Sequence, residues 1–548
     1  MIRKRSRIAA SAFALGLLLS ALLPVAAATD AASMPTPGEL EAAHAVIGEI
    51  TIAADDIFDM SVKGESSWLY RSANKLHIST RPAVVRGQLL FKTGEPYSHR
   101  LLQETERILR AKDYLYDATI VPVAWDGHTV DLEVRTRDNW TLNPGINFSR
   151  KGGENKGSLQ LVEKNLLGTG RALEFDWGKN FDRNYVTFQY TDPHFLTNWT
   201  RLSVTYSDAN DGSTKAFRLD RPFYALDTRH AGGVNLFDSQ RNDARYVLGQ
   251  EVGEFGHREE YYEGYFGQSS GWRDGWVTRW TTGVTMQRDR FAPVEGSPLG
   301  GPLPEDRDLV YPWIGVELVE DRFEERINQD QIERTEDVLV GLQAGGRLGY
   351  ASESFGSDRD AWVFGGYVQD GKDLRDGESL FGSMNLSGRV EDGTLRDGVL
   401  SAEARYYRRT SKRFKFFATV NGTVTENLDA ESQLLLGGDN GLRGYPLRYQ
   451  AGTSLALLTL EERYYTDWYP FRLFHVAAAA FFDMGRTWGT DVTGATSDGL
   501  LKDVGIGLRL GSSRSAFGNV LHIDLAFPLD GDPSIDKVQF LVETKGRF

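Results

Sequence analysis

Trp276-Val277-Thr278-Arg279-Trp280-Thr281-Thr282-Gly283-Val284-Thr285-Met286-Gln287 reads as an extended chain with two unlike faces. Trp276, Trp280, Val284 and Met286 share one parity, and Arg279, Thr281, Thr285 and Gln287 share the other. Successive side chains of a strand point to opposite faces, so one face suits hydrocarbon and the other a watery interior. The same period returns in Val186, Phe188 and Tyr190 against Thr187, Gln189 and Thr191, and in Leu202, Val204 and Tyr206 against Ser203, Thr205 and Ser207. It recurs at Leu400, Ala402, Ala404 and Tyr406 against Ser401, Glu403 and Arg405, and at Leu521, Ile523, Leu525 and Phe527 against His522 and Asp524.

A soluble sandwich alternates as well, so the decision rests on extent. The pattern runs from Asn139-Trp140 to the last residue without a helical break, and Trp and Tyr gather near segment ends, where a bilayer interface holds them. The expectation is a transmembrane antiparallel β-barrel over residues 138–548. At about 25 residues per strand and connection, that length gives about sixteen strands. The final segment sets Val538, Phe540, Val542 and Phe548 on one face and Gln539, Glu543, Lys545 and Arg547 on the other.

Bulk properties agree with export to an envelope. Arg3, Lys4, Arg5 and Arg7, an apolar run from Ile8 to Leu23, and Ala26-Ala27-Ala28 have the order of a secretory signal with its cleavage site, so residues 1–28 are set aside as a signal peptide. No later apolar run reaches the length of a spanning helix, and the mean hydropathy of -0.38 is that of a polar protein; barrel strands give such a value because only alternate residues meet lipid. The net charge of -14 disfavours nucleic acid as a partner. With 0 cysteines, disulfides and thiolate zinc sites are excluded.

Ahead of the barrel, residues 29–46 read as a linker and 47–137 as a small α+β domain of order β-α-α-β-β. Its best-marked element is an amphipathic helix capped by Ser98, with Leu101, Leu102, Thr105, Ile108 and Leu109 on one face. Strands at 118–124 and 130–135 flank Asp126-Gly127, a strong hairpin signal. This unit resembles a POTRA domain, the periplasmic module that precedes certain outer-membrane barrels, and only one such module fits before residue 138.

Further along, Leu434 to Tyr445 contains Gly437-Gly438 and then Leu442-Arg443-Gly444-Tyr445. Two later segments carry acids on the parity opposite their apolar face: Glu461 in Leu455–Tyr465, and Asp483 in Phe481-Phe482-Asp483-Met484-Gly485. Together these resemble the surface-antigen-type barrels of the BamA/TamA superfamily, in which a loop carrying the hydrophobic-Arg-Gly-aromatic tip folds into the lumen and a strand ends in F-x-D-x-G. The resemblance implies that Arg443 pairs with Asp483 and with Glu461 or a near neighbour, that Phe481, Asp483 and Gly485 form the strand motif, and that the terminal Phe548 is the insertion signal. It extends to Trp140 to Pro144 and to Asn165 to Arg171 as first strands.

No G-x-S-x-G, H-E-x-x-H or P-loop sequence is present. Gly168-Thr169-Gly170 fails the dinucleotide fingerprint because Leu173 occupies the third glycine position. His257 with Glu259 and Glu260 reads as a solvated loop, and Asp530, Asp532 and Asp536 as an ordinary turn. No catalytic, cofactor or metal site is therefore expected. The resemblance implies a monomeric barrel in the bacterial outer membrane, its amino-terminal domain in the periplasm, its partners a client outer-membrane or secreted polypeptide and membrane lipid. Its function would be assembly or translocation of polypeptides by β-augmentation, without covalent chemistry. A passive or lipid-transporting pore of the same fold is the alternative, and an enzyme with its site in the lumen is a third.

Overall fold

The computed structural model describes residues 34–515, 520–531, 533 and 535–546. The signal segment 1–28 and Phe548 lie outside the described residues.

The wall is a closed antiparallel barrel of 20 strands, from Leu142–Lys151 to Gln539–Lys545. The count of about sixteen is thus corrected to twenty. The miscount came from overestimating the connections, many of which are two-residue turns. Leu248-Gly249, Asp274-Gly275 and Asp392-Gly393 each have positive φ at both positions, the geometry that primed hairpin turns require. Such turns leave no chain for loops, and the wall closes with more strands from the same length.

Parity sorts the faces as the alternation predicts. Trp280, Val284, Ile314, Trp362 and Ile506 stand exposed on the outer face, while Val277 and Thr285, of the opposite parity, are fully buried inside. An apolar belt of this extent on a folded protein marks a surface that meets hydrocarbon. The barrel closes where the last strand, Gln539–Lys545, meets the first, Leu142–Lys151; among the described residues Val542 stands opposite Arg150, beside an ion pair from Lys151 to Glu543 at 2.5 Å.

The amino-terminal unit comprises α1 (Pro37–Ala42), β1 (Val46–Asp55), α2 (Trp68–Leu76), α3 (Pro82–Arg86), α4 (His99–Arg110), β2 (Leu115–Trp125) and β3 (Thr129–Asp138). Its sheet has the order β1-β3-β2, with β1 parallel and β2 antiparallel to β3. Asp126 Oδ1 accepts the His128 and Thr129 N–H groups at 2.9 and 2.6 Å and Gly127 takes φ 97°, which makes the β2–β3 turn. Leu102 and Leu109 of α4 pack with Ile47, Leu115, Leu132 and Val134 in one core. Two local expectations are revised. Pro37–Ala42, inside the supposed linker, is helical behind a Thr36/Glu39 capping box and seats Leu40 in that core. Ser98 occupies the cap position of α4, but its hydroxyl makes no capping bond; Glu41 instead accepts the His99 N–H at 2.8 Å.

The unit sits across one mouth of the barrel. A hairpin, Phe323–Ile327 with Thr335–Leu339, leaves the wall at this end and crosses to the opposite side. Its tip buries Ile332 against Tyr465, Ala477 and Val520, and Asp330 accepts the Tyr407 hydroxyl at 2.9 Å. Lys415 Nζ donates to the Asn328 carbonyl at 2.6 Å. Arg110 of α4 holds the hairpin from outside, bidentate to Asp337 at 2.8 and 2.6 Å and bonded to Glu325 at 2.8 Å.

Candidate functional site

At the other end, the chain between the strands Phe414–Glu426 and Ser454–Tyr465 turns back into the barrel. A short antiparallel ribbon, Leu434–Leu436 with Gln450–Gly452, carries its tip inward. Gly437 is required there, since a Cβ would come within 2.5 Å of the Arg448 nitrogen and the Pro446 carbonyl oxygen. Leu442 and Tyr445 are fully buried with Leu436, Leu457 and Leu501. The Tyr445 hydroxyl lies between the Lys502 and Asp530 carbonyls at 2.8 and 2.9 Å, and so fastens the tip to a strand end.

Strand parity delivers the partners of Arg443. Glu461, Asp483 and Asp524 all project inward from neighbouring strands and are buried. Arg443 binds Asp483 through two parallel bonds, Nε to Oδ2 at 2.7 Å and Nη2 to Oδ1 at 3.0 Å, and reaches Glu461 with Nη1 at 3.0 Å. The same Nη1 is 3.5 Å from Asp524, and the guanidinium lies 3.4 Å over the Phe481 ring. This is the fork geometry at which arginine excels over lysine, with its flat face free to stack. The next residue adds backbone to the anchor: the Gly444 N–H donates to Asp503 at 3.0 Å, and a Cβ on Gly444 would fall 2.6 Å from that of Asp503. Gly485 of the strand motif faces Leu436 and Leu457, each 3.1 Å from where a Cβ would stand.

The anchor is wider than one arginine and two acids. Arg509 donates to Glu461 at 3.0 and 2.7 Å and to Asp524 at 2.5 Å, and Arg463 donates to Glu461 at 2.7 Å. Three guanidiniums thus interleave with Glu461, Asp483 and Asp524. A buried charge persists only when paired and hydrogen-bonded, so these groups form one interdependent unit. Sequence reasoning put Asp524 on the face opposite the apolar one without linking it to Arg443, and it missed Arg509. The signal was available in the alternation of Ile506, Leu508 and Leu510, which turns Arg509 inward; that it meets Glu461 depends on strand register.

A second network holds the rest of the loop. Arg448 donates to both Asp182 oxygens at 2.6 and 3.0 Å and lies 4.3 Å over Tyr246. Burial alone would raise the Asp182 carboxyl, but its bonds with Arg448 hold it below the usual range. Arg307 bridges Asp289 to the loop residues Asp429 and Glu431 at 2.8–2.9 Å. His257 belongs to this wall, which overturns its reading as a solvated loop residue. It is buried on the strand Gln250–Arg273, between Asp243 at 2.8 Å and Asp289 at 3.1 Å, and stacks on Phe291. Among the described residues, no three His, Cys, Asp or Glu side chains are arranged to hold a metal ion.

A closed antiparallel barrel with an apolar belt outside and charged networks inside defines an outer-membrane β-barrel protein. Residues 370–545, the part of the wall that carries the lumen loop and its anchor, match the Omp85 superfamily domain. Over 230 residues the chain is 21% identical to the outer membrane protein assembly factor BamA of Buchnera aphidicola subsp. Acyrthosiphon pisum (strain APS), a match covering 39% of this chain and 36% of that relative. The chain therefore spans about a third of the length of the curated relative it matches. Among solved structures it is similar to BamA from Haemophilus ducreyi lacking POTRA domains 1–3 (13% identity, 91% of this chain and 84% of that one, TM-score 0.37). It is also similar to CdiB from Escherichia coli (14% identity, 92% and 76%, TM-score 0.48).

Proposed function

We propose that this chain assembles outer-membrane proteins or passes a polypeptide across the outer membrane, with its amino-terminal domain in the periplasm as a single POTRA-like module. The observation that carries the reading is the lumen loop whose Arg443 is bound to three acids contributed by strands close to the seam. Such an anchor holds that part of the wall and leaves the junction of Gln539–Lys545 with Leu142–Lys151, where the last strand meets the first, as the place that can open. An opened seam offers two unpaired strand edges, to which an extended client adds by backbone hydrogen bonding. Folding and insertion of the client then proceed without covalent chemistry. The occupied ends weigh against a passive pore: the loop enters from one end, and the hairpin with the docked domain covers the other.

The test locks the seam. The chain has 0 cysteines, so Arg150→Cys with Val542→Cys places one thiol pair at a registered position of this junction. Oxidation should stop client handling, read as loss of the affected proteins from the outer membrane or medium, and reduction should restore it. Normal client levels with the disulfide fully formed would refute the opening step.

A further inference from the structure

Of the four α-helices among the described residues, α2 alone has no buried residue. Its inner side is well occupied. Tyr70 packs on Phe58 at 4.6 Å and donates to the Phe471 carbonyl at 3.0 Å, and Asn74 bridges both backbone groups of Phe58 at 3.1 and 2.7 Å. Its outer side is apolar: Trp68, Leu69 and Leu76 are 72, 56 and 74% exposed, and helical spacing puts them on one stripe. Arg71 and Lys75 run beside that stripe, also exposed.

The helix is fixed at both ends to the rim of the barrel. At its start, Arg472 donates to the Lys63 carbonyl at 3.3 Å, next to the Tyr70–Phe471 bond. Beyond its end, His77 is 3.0 Å from Asp138, and the Arg81 N–H donates to the Gly168 carbonyl at 2.9 Å. Phe471 and Arg472 lie in the turn before the strand Phe474–Trp488, and Gly168 in the turn after Glu154–Glu163. Between these turns, along the wall, come Leu501–Ser512, Val520–Pro528, the last strand and the first, so the segment from α2 to Arg81 passes under the seam. The rim turns show apolar side chains of their own: Trp468, Phe471 and Leu167 are all exposed. Through Phe471 and Phe474, both exposed, the outer stripe of α2 leads onto the belt, which carries Leu508 and Ile506 on the adjoining strand.

We propose that α2 is an interfacial membrane helix, with Trp68, Leu69 and Leu76 in the bilayer surface at the domain end of the barrel and Arg71 and Lys75 among the phosphates. The inference rests on the barrel spanning a bilayer with this domain at its periplasmic end. A soluble domain seldom leaves a stripe of this kind bare, and an apolar stripe flanked by cations is the pattern of helices that lie in the interface plane. The continuity with the lipid-facing belt identifies the occupant as lipid. Seated there, α2 couples the domain to the membrane beside the junction proposed to open.

Three single-cysteine variants of the full chain test this: Leu69→Cys on α2, Ile506→Cys on the belt, and Lys92→Cys, exposed on the domain away from the rim. Each is labelled with an environment-sensitive fluorophore and reconstituted in phosphatidylethanolamine–phosphatidylglycerol vesicles holding nitroxide lipids. The label at Leu69→Cys should be quenched several-fold more than that at Lys92→Cys, best by a nitroxide near the headgroup. That at Ile506→Cys should respond best to one deep in the chain. Quenching at Leu69→Cys equal to that at Lys92→Cys, with full access to a water-soluble quencher, would overturn the proposal, provided Ile506→Cys responds to lipid. Failure at Ile506→Cys would overturn the barrel reading beneath it.

Discussion

Arg443→Ala tests the lumen anchor most directly. The substitution deletes two bonds to Asp483, one to Glu461, and the stacking on Phe481. Glu461 and Asp524 keep Arg509, but Asp483 loses its guanidinium while facing Asp503 across the strand pair. Breaking a buried ion pair by removing one partner costs about 3–5 kcal/mol, and every 1.4 kcal/mol is about tenfold in an equilibrium. The loop tip should therefore open about a hundred- to several thousandfold more often than in the parent. The barrel itself should survive, because the Tyr445 hydroxyl, the Arg448–Asp182 pair and the Arg307 bridge hold the loop elsewhere. Amide hydrogen exchange reads the effect. The Leu442 and Tyr445 N–H groups donate within the tip, to Gly437 and Leu442 carbonyls at 3.0 Å, and their protection should fall by that factor while wall amides and the heat-dependent gel shift stay unchanged. Asp483→Arg should act similarly, and combining it with Arg443→Asp should restore part of the protection. Unchanged protection at Leu442 and Tyr445 in Arg443→Ala would refute the claim that this arginine holds the loop.

Two further predictions concern the domain end. Arg110→Ala removes the clamp on the hairpin, so the parent should pass little current in a planar bilayer and the variant should show frequent openings; equal conductance would mean that the clamp does not gate the mouth. Burial pushes the Glu104 and Glu106 carboxyls of α4 above the usual range, although Leu226 and Ile120 N–H groups donate to them. A carboxyl whose folded pKa is raised contributes stability below its ordinary value near 4.5 and loses it as pH rises through the folded value. Glu104→Gln should thus gain protection of α4 amides relative to the parent as pH rises from about 4.5 to the folded value and keep that gain above it, and no gain across that window would disprove the assignment.

Much of this protein was legible in its sequence because a barrel wall obeys a period of two. That period placed Trp280 and Val284 outside and Thr285 inside, and turned Glu461 and Asp483 toward the lumen before any partner was known. The resemblance of Leu442-Arg443-Gly444-Tyr445 to a known loop tip singled out the arginine. What the period leaves open is register and length. Two-residue turns at Leu248-Gly249 and Asp392-Gly393 turned an expected sixteen strands into twenty, because a hairpin with both central φ angles positive needs no loop. Arg509 joins Glu461 and Asp524 only through the offset of neighbouring strands, and His257 meets Asp243 and Asp289 for the same reason. The hairpin from Phe323 to Leu339 and the exposed stripe of α2 depend on what lies across the mouth and along the rim. Local sequence sets which face a side chain takes; which side chain it meets across the barrel follows from closure, which joins residues hundreds of positions apart.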